Sequence, residues 1–378
     1  MSDLHSFFAE KHFAELPENN AGHPLQIGKK IQVITEFKPD WSEADIVLVG
    51  CGEQRGHDFN AGWSMAADAV RAELYRMYDW HGSVKVADMG NIREGASIAD
   101  TRAALRTVLQ EIQEQGKVAL VIGGSHDLTL QQYDVFKRAG QTANAAVVDM
   151  LIDLEETENI SDAGFLMDML TEQPNFVRHF SHMGFQSYYT NPGMLETLDK
   201  LRFDCFRLGR VRENPEEMEP VLRNCDLLSI DMKAVRKCDA PFLKDGSPNG
   251  LFGDEMCQLT RYAGMSGRLS SMGIYGYQPE NDTDQQGARL IAQMLWYFVD
   301  GFLVRKNEAD PVADRNDFIE YQVALTGNDT LFLKSKKTNR WWMQLPDGSF
   351  TPCSYADYLQ AASNEIPERW FREQERVV

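Results

Sequence analysis

A chain of 378 residues with 43% hydrophobic side chains can bury a large core, and its length admits one large α/β domain or two smaller ones. Its net charge of -19, from 57 acidic against 38 basic residues, argues against binding nucleic acid or an anionic membrane surface and leaves neutral or cationic small ligands open. No apolar run reaches about 18 residues and the first residues lack a basic stretch followed by an apolar one, so no membrane association and a cytoplasmic location are expected. Six cysteines without CxxC spacing read as buried reduced thiols, not as a disulfide framework or a thiolate zinc site.

Residues 1–40 mix charges, prolines and glycines and are read as an N-terminal helix and arm. From 41 to 308 apolar runs of strand length alternate with helical spacing. Ala44 to Gly50 is the first buried strand, followed by the glycine-rich loop Cys51-Gly-Glu-Gln-Arg-Gly-His57, which is not a dinucleotide fingerprint. Ala66 to Tyr78 has one apolar helical face, Val84 to Gly90 is a strand, and Ser97 to Gln115 a helix with Ser97 and Asp100 at its start and Gly116 at its stop. Val118 to Asp127 and Ala145 to Asp153 form the two strand halves of a βαβ unit. Further strands are expected at Phe176 to Ser187, Asp204 to Leu208, Asp226 to Met232 and Ser270 to Tyr277, with helices ending at Ala263 and spanning Gly287 to Phe302. The alternation predicts a three-layer αβα sandwich around a mostly parallel sheet. Residues 309–378 differ: period-two alternation from Phe318 to Leu345, with turns at Gly327 and Thr338, predicts a small antiparallel appendage packed on the main domain, closed by a short helix near Ile366 to Glu375. Trp341 and Trp342 would face opposite sides of their strand, leaving one ring available for exposure.

The chemistry-bearing residues gather at strand ends. His126 follows one strand, Asp149 and Asp153 follow the next, and Asp231 with Lys233 closes a third; in parallel sheets, sites form outside the carboxyl ends of strands. If the segments stay extended, Asp149, Leu151 and Asp153 share one face, as do Ser229, Asp231 and Lys233. One imidazole and three carboxylates converging on a point require a cation, and a divalent metal with nitrogen and oxygen ligands, such as manganese, suits them. The competing reading is that these acids cap helices or face water. His57 could line the pocket but reads first as a loop residue facing solvent, His179 and His182 read as non-ligands beside a strand, and Gln186 to Tyr189 could line the cleft but read first as sheet-edge packing.

Gly123-Gly-Ser-His-Asp127, Asp149-x-x-x-Asp153 and Ser229-x-Asp231, in that order, resemble the three signatures of the ureohydrolases: arginase, agmatinase and formimidoylglutamase. Gly250 to Glu255 and Tyr277-Gln-Pro279 are similar to later segments of that family, so the resemblance covers about residues 40 to 305. It implies the arginase-like sandwich and a hydrolase of C–N bonds in linear amidines, formimidoylglutamate or guanidino compounds, releasing urea, ammonia or formamide at a dinuclear manganese centre. The positions matching the ligands of one metal are His126, Asp149, Asp153 and Asp231. Asp149 or Asp153 would accept a proton, and Glu255 matches the acid that holds the amidine group. The second metal also needs a histidine where this chain has Leu151 and an aspartate where it has Lys233. Two donors are therefore lost and a positive charge gained, which predicts manganese or another divalent metal, at most one ion, with Lys233 seated where the second would lie and pairing with Asp149 and Asp231. The family's loop histidine after this motif is also missing, Ser161 to Met167 running in its place, and Gly276 stands where an acid is expected. A small amidine or guanidino ligand is the expected partner, and the resemblance implies a homo-oligomer. The alternative is a non-catalytic relative whose sandwich and C-terminal extension serve as a binding or interaction module.

Overall fold

In the computed structural model, described for residues 4–9, 22–34, 40–57, 65–325 and 328–377, nine strands form one sheet in the order β1-β3-β2-β4-β9-β8-β5-β6-β7. They are β1 (Gln32–Val33), β2 (Ile46–Cys51), β3 (Val86–Ile92), β4 (Val118–Ile122), β5 (Ala143–Val148), β6 (Val177–Phe185), β7 (Asp204–Arg207), β8 (Leu227–Asp231) and β9 (Ser271–Tyr275). The recorded pairings within this sheet are parallel.

Parallel strands bury both faces, and the period-two alternation sorts their side chains into two cores. Ile46 and Leu48 of β2 join one apolar cluster; Val47 and Val49 join another. On the first face lie α2 (Ala66–Leu74), α9 (Gly253–Gly264) and α10 (Gln286–Asn307), which contribute Val70, Leu259 and Leu295. On the opposite face α3 (Ile98–Glu114) covers the β2 side, while α4 (Thr129–Arg138), α5 (Phe165–Thr171) and α6 (Pro192–Lys200) cover β5 and β6. The αβα sandwich expected from the strand and helix alternation is thus present. Ser97 and Asp100 form a reciprocal capping box at the start of α3, as their spacing suggested.

The two halves of the central βαβ unit are not neighbours: β9 and β8, which come later in the chain, insert between β4 and β5. The sheet grows outward on one side through β2 and β3 and on the other through β6 and β7. The crevice at this reversal is where α/β sheets place their ligands.

A separate antiparallel sheet, β10 (Phe318–Leu325), β11 (Asn328–Ser335), β12 (Trp341–Gln344) and β13 (Phe350–Cys353), follows α10 and is completed by α11 (Tyr355–Ala362) and α12 (Glu368–Val377). The turn expected at Gly327 lies outside the described residues. Trp341 and Trp342 do face opposite sides, but neither is exposed. Trp341 stacks on Tyr358 at 4.8 Å, and Trp342 is covered by Phe318 and by the Arg223 guanidinium at 4.3 Å. Arg223 belongs to α8 (Met218–Arg223), one of two short helices, with α7 (Leu208–Glu213), that sequence periodicity did not reveal because each spans fewer than two turns. It also donates to the carbonyls of Trp341 and Cys353, tying the small sheet to the large one.

Candidate metal centre

His126 sits on a single 3-10 turn just beyond β4, reached through Gly123 and Gly124, whose φ values of 94° and 84° only glycine adopts without strain. To meet Asp231 of β8, the His126 loop must pass over the end of β9. That end is kept bare by Gly276, where a Cβ would lie 2.7 Å from Asp231 Oδ1. The acid expected at this position is therefore sterically excluded.

Around His126 Nδ1 stand Asp153 Oδ2 at 2.9 Å, Asp149 Oδ2 at 3.3 Å and Asp231 Oδ2 at 3.7 Å, all in side chains at most 5% exposed. The imidazole and three carboxylates nominated from sequence thus lie near one another, and His126, Asp149 and Asp153 are the three whose ligand atoms stand within 4.8 Å of one another. The route differs from the extended segment assumed from sequence: β5 stops at Val148, and the Asp149 carboxylate accepts the amides of Met150 and Leu151, folding the chain back. His182 of β6, fully buried, donates Nε2–H to the Leu151 carbonyl at 2.7 Å and holds this turn. Burial pushes its imidazole down to about 4 and keeps it neutral. Leu151 lies on this turn and lines a cavity together with Asp153, Met167, Leu170 and Met194. Lys233 also leaves the strand, on a 3-10 turn capped by Asp231 Oδ1.

The hydrogen bonds behind His126 define its tautomer. Thr129 Oγ1 donates to the His126 carbonyl at 2.7 Å, so the Ser229 hydroxyl, 2.5 Å away, donates to Thr129, and Ser229 Oγ is left to accept from His126 Nε2–H at 2.9 Å. When His126 is neutral, Nδ1 is thus the ring nitrogen left to offer a lone pair to an ion, the arrangement that second-shell bonds impose on metal-ligating histidines. Without a cation the cluster is short of positive charge. Burial opposes protonation of His126, but Asp149 and Asp153 outweigh it and push the imidazole up to about 10. Burial, with Asp149 adding to it, raises the Asp153 carboxyl. Asp149 Oδ2 is buried without a hydrogen bond. His126, Asp149 and Asp153 therefore form a donor set able to hold a metal ion.

A fixed positive charge stands beside this set. Lys233 Nζ lies 3.7 Å from Asp231 Oδ2 and 3.7 Å from Asp162 Oδ2, and although burial disfavours its charge, Asp231, Asp149, Asp153 and Asp162 together keep it protonated. Its ion partners are thus Asp231 and Asp162; Asp149, expected as a partner, acts at longer range. Asp162 comes from the segment that replaces the missing loop histidine, and its carboxylate is bonded to His57 Nδ1. The loop after β2 was expected to turn His57 to solvent rather than to the pocket, and Asp162 was not singled out; the two lie more than a hundred positions apart and no local spacing links them.

The remaining candidates lie elsewhere. Glu255 caps the start of α9, accepting the Phe252 amide at 2.7 Å, and its other oxygen accepts from Arg212 Nε at 3.3 Å, so holding an amidine would require giving up one of these bonds. His179 pairs with Asp204 at 2.9 Å on β7 and, like His182, takes no part in the cluster. Asp127 turns away from its neighbour His126 to pair with Arg102 at 2.5 Å.

An αβα sandwich with one histidine and several aspartates at the carboxyl ends of its central strands is the architecture of an arginase-fold ureohydrolase. The family model of the arginase family matches residues 44–300, and the chain belongs to that family. Among curated proteins it is 24% identical over 300 residues to a formimidoylglutamase of Klebsiella pneumoniae, covering 73% of this chain and 92% of that protein. It is 22% identical over 299 residues to one of Vibrio cholerae, covering 72% and 86%. Formiminoglutamase of Trypanosoma cruzi, solved with Mn2+, superposes with a TM-score of 0.65 at 19% identity over 71% of this chain and 96% of that one. Formimidoylglutamase of Bacillus subtilis gives 0.65 at 17% identity over 74% and 92%. Among the described residues no helix is long and apolar enough to cross a membrane.

Proposed function

We propose that this protein hydrolyses a C–N bond of a small linear amidine, formimidoylglutamate or a guanidino compound, with a single divalent ion, manganese by preference, held by His126, Asp149, Asp153 and Asp231. The observation that carries the reading is the meeting of His126 Nδ1 with three buried carboxylates, with Lys233 Nζ 3.7 Å from Asp231 on their open side. When bound, a divalent ion supplies Lewis-acid activation of water near neutral pH. The other roles fall to the chain itself. Ser229 and Thr129 hold the His126 tautomer, one of Asp149 and Asp153 takes the proton released by the attacking water, and Lys233 supplies the fixed positive charge that the second ion supplies elsewhere in the family. With His126 neutral, one ammonium and one divalent ion carry three positive charges among the carboxylates of Asp149, Asp153, Asp231 and Asp162. Glu255 is assigned the cap of α9 instead of the amidine.

The non-catalytic alternative draws no support from the relatives, which are named as enzymes. Purified protein loaded with manganese should release formamide, urea or ammonia from one member of an amidine and guanidine panel, and should stop doing so when the ion is chelated. Hydrolysis that survives chelation, or none across the panel, overturns the reading.

A further inference from the structure

His182 of β6 lies opposite Val147 in the parallel pairing with β5. Leu151 is four positions beyond Val147, so an extended chain would carry its carbonyl about 13 Å past the histidine. That carbonyl instead receives His182 Nε2–H at 2.7 Å, because the chain folds back over the ring once β5 has ended at Val148. Two backbone bonds join the same stretches: the Asp149 amide donates to the Met183 carbonyl at 3.1 Å, and the Gln186 amide to the Met150 carbonyl at 2.9 Å. Those two need no particular side chain, whereas the bond to Leu151 needs a donor at position 182.

Leu151 is thereby held from both sides. Its amide donates to Asp149 Oδ1 at 3.3 Å, beside the Met150 amide at 2.5 Å, and its carbonyl is fixed by the imidazole. Asp149 Oδ1 is thus taken up by backbone, and Oδ2, which has no hydrogen bond, is the oxygen 3.3 Å from His126 Nδ1. Asp153, two residues past Leu151, brings its Oδ2 to 2.9 Å from the same nitrogen. A residue outside the donor set therefore grips the turn that carries two of its three members.

The ring suits this task. A carbonyl only accepts, so Nε2 carries the proton, while the buried Nδ1 has no hydrogen-bond partner. The hydrogen bonding of this imidazole is thus spent on the ligand turn. Its faces are occupied by Phe180 and Phe185, each with its ring centre 6.3 Å away, an environment that an apolar ring would fill equally well. We propose that His182 is a positioning residue of the metal centre, which through Leu151 sets the direction in which Asp149 and Asp153 present their carboxylates to the ion. The proposal rests on the metal-binding function proposed above and extends it from the donors to the group that aims them.

The test compares the full chain with His182→Phe, which keeps the ring and loses the N–H, and with His182→Gln, whose amide nitrogen reaches the place of Nε2 and restores a donor. Groups that orient metal ligands contribute roughly ten- to a hundredfold in affinity, so in equilibrium dialysis His182→Phe should bind manganese at least about tenfold more weakly than the parent, and His182→Gln within about threefold of it. In the metal-free proteins, hydrogen exchange of residues 149–154 should be faster in His182→Phe and unchanged in His182→Gln. A merely structural role would lower the melting temperature of His182→Phe and leave the manganese affinity of the folded protein unaltered. If His182→Phe fails to fold, His182→Met takes its place. Parental manganese affinity in His182→Phe overturns the proposal, as does a His182→Gln protein that binds as weakly as His182→Phe. A parent that binds no manganese refutes the metal-binding function itself; exchange then decides alone, and equal exchange in the three metal-free proteins overturns the proposal.

Discussion

Replacing Lys233 by methionine keeps the stem of the side chain and removes only its charge. The ammonium lies 3.7 Å from carboxylate oxygens of both Asp231 and Asp162, which at an effective dielectric of about 20 corresponds to roughly 4–5 kcal/mol of direct attraction per contact. The side chain is 27% exposed, so water screens part of this and the lysine recovers its own desolvation cost. A net loss of about 1–3 kcal/mol remains once these are discounted. For a chain of 378 residues this is a fall of roughly 1–4 °C in melting temperature for the metal-free protein. The same substitution should tighten manganese binding about tenfold, equivalent to about 1.4 kcal/mol, because the ion no longer shares the carboxylates with a fixed cation. Scanning calorimetry with and without manganese, together with a titration of the ion, reads both effects. A Lys233→Met protein as stable as the parent and with the same manganese affinity would show that the ammonium is not electrostatically part of the centre.

Asp231→Asn should lower manganese affinity at least about a hundredfold and abolish amidine hydrolysis, since it removes a charged oxygen from a fully buried donor set; equilibrium dialysis checks the first and product release the second. Glu255→Ala should cost about 1 kcal/mol in urea denaturation through loss of the α9 cap, with the manganese stoichiometry unchanged. Arg340 joins Glu308 at 2.8 Å and the Met265 carbonyl at 2.9 Å, so Arg340→Met should strand a partly buried carboxylate and cost about 2–4 kcal/mol, visible as faster hydrogen exchange in β11 and β12. Glu308 also gives a pH signature. Burial favours its neutral form, but hydrogen bonds from Thr338 and Ser335 and the charge of Arg340 outweigh this and hold its carboxyl below the usual value of 4.5. Its contribution is therefore present above about pH 4.5 and lost as the pH falls through the lowered folded value, and the acid limb of a stability profile should flatten in Arg340→Met.

Much of the fold was legible because parallel strands buried on both faces read as short apolar runs: Val118 to Ile122 is uninterrupted, and Leu227 to Asp231 is broken only by Ser229 before its closing aspartate. His126, Asp149, Asp153 and Asp231 could be nominated because each directly follows or ends one of them. What local spacing could not supply was the path beyond the strand ends. Period-two alternation assumed an extended segment from Asp149 to Asp153, but the strand ends at Val148 and the Asp149 carboxylate takes two backbone amides there. His57 and Asp162 meet through tertiary packing alone, and nothing between them in sequence hints at it. Both tryptophans of β12 are buried because α11 covers one face and Arg223 the other, a closure invisible in a strand read by itself.

The account turns on one ion sharing the pocket with one ammonium. Elemental analysis of the protein after saturation with manganese and removal of excess metal measures this directly. One manganese per chain is predicted, rising to two when Leu151→His and Lys233→Asp are combined. Two per chain in the unaltered protein, or none, would contradict it.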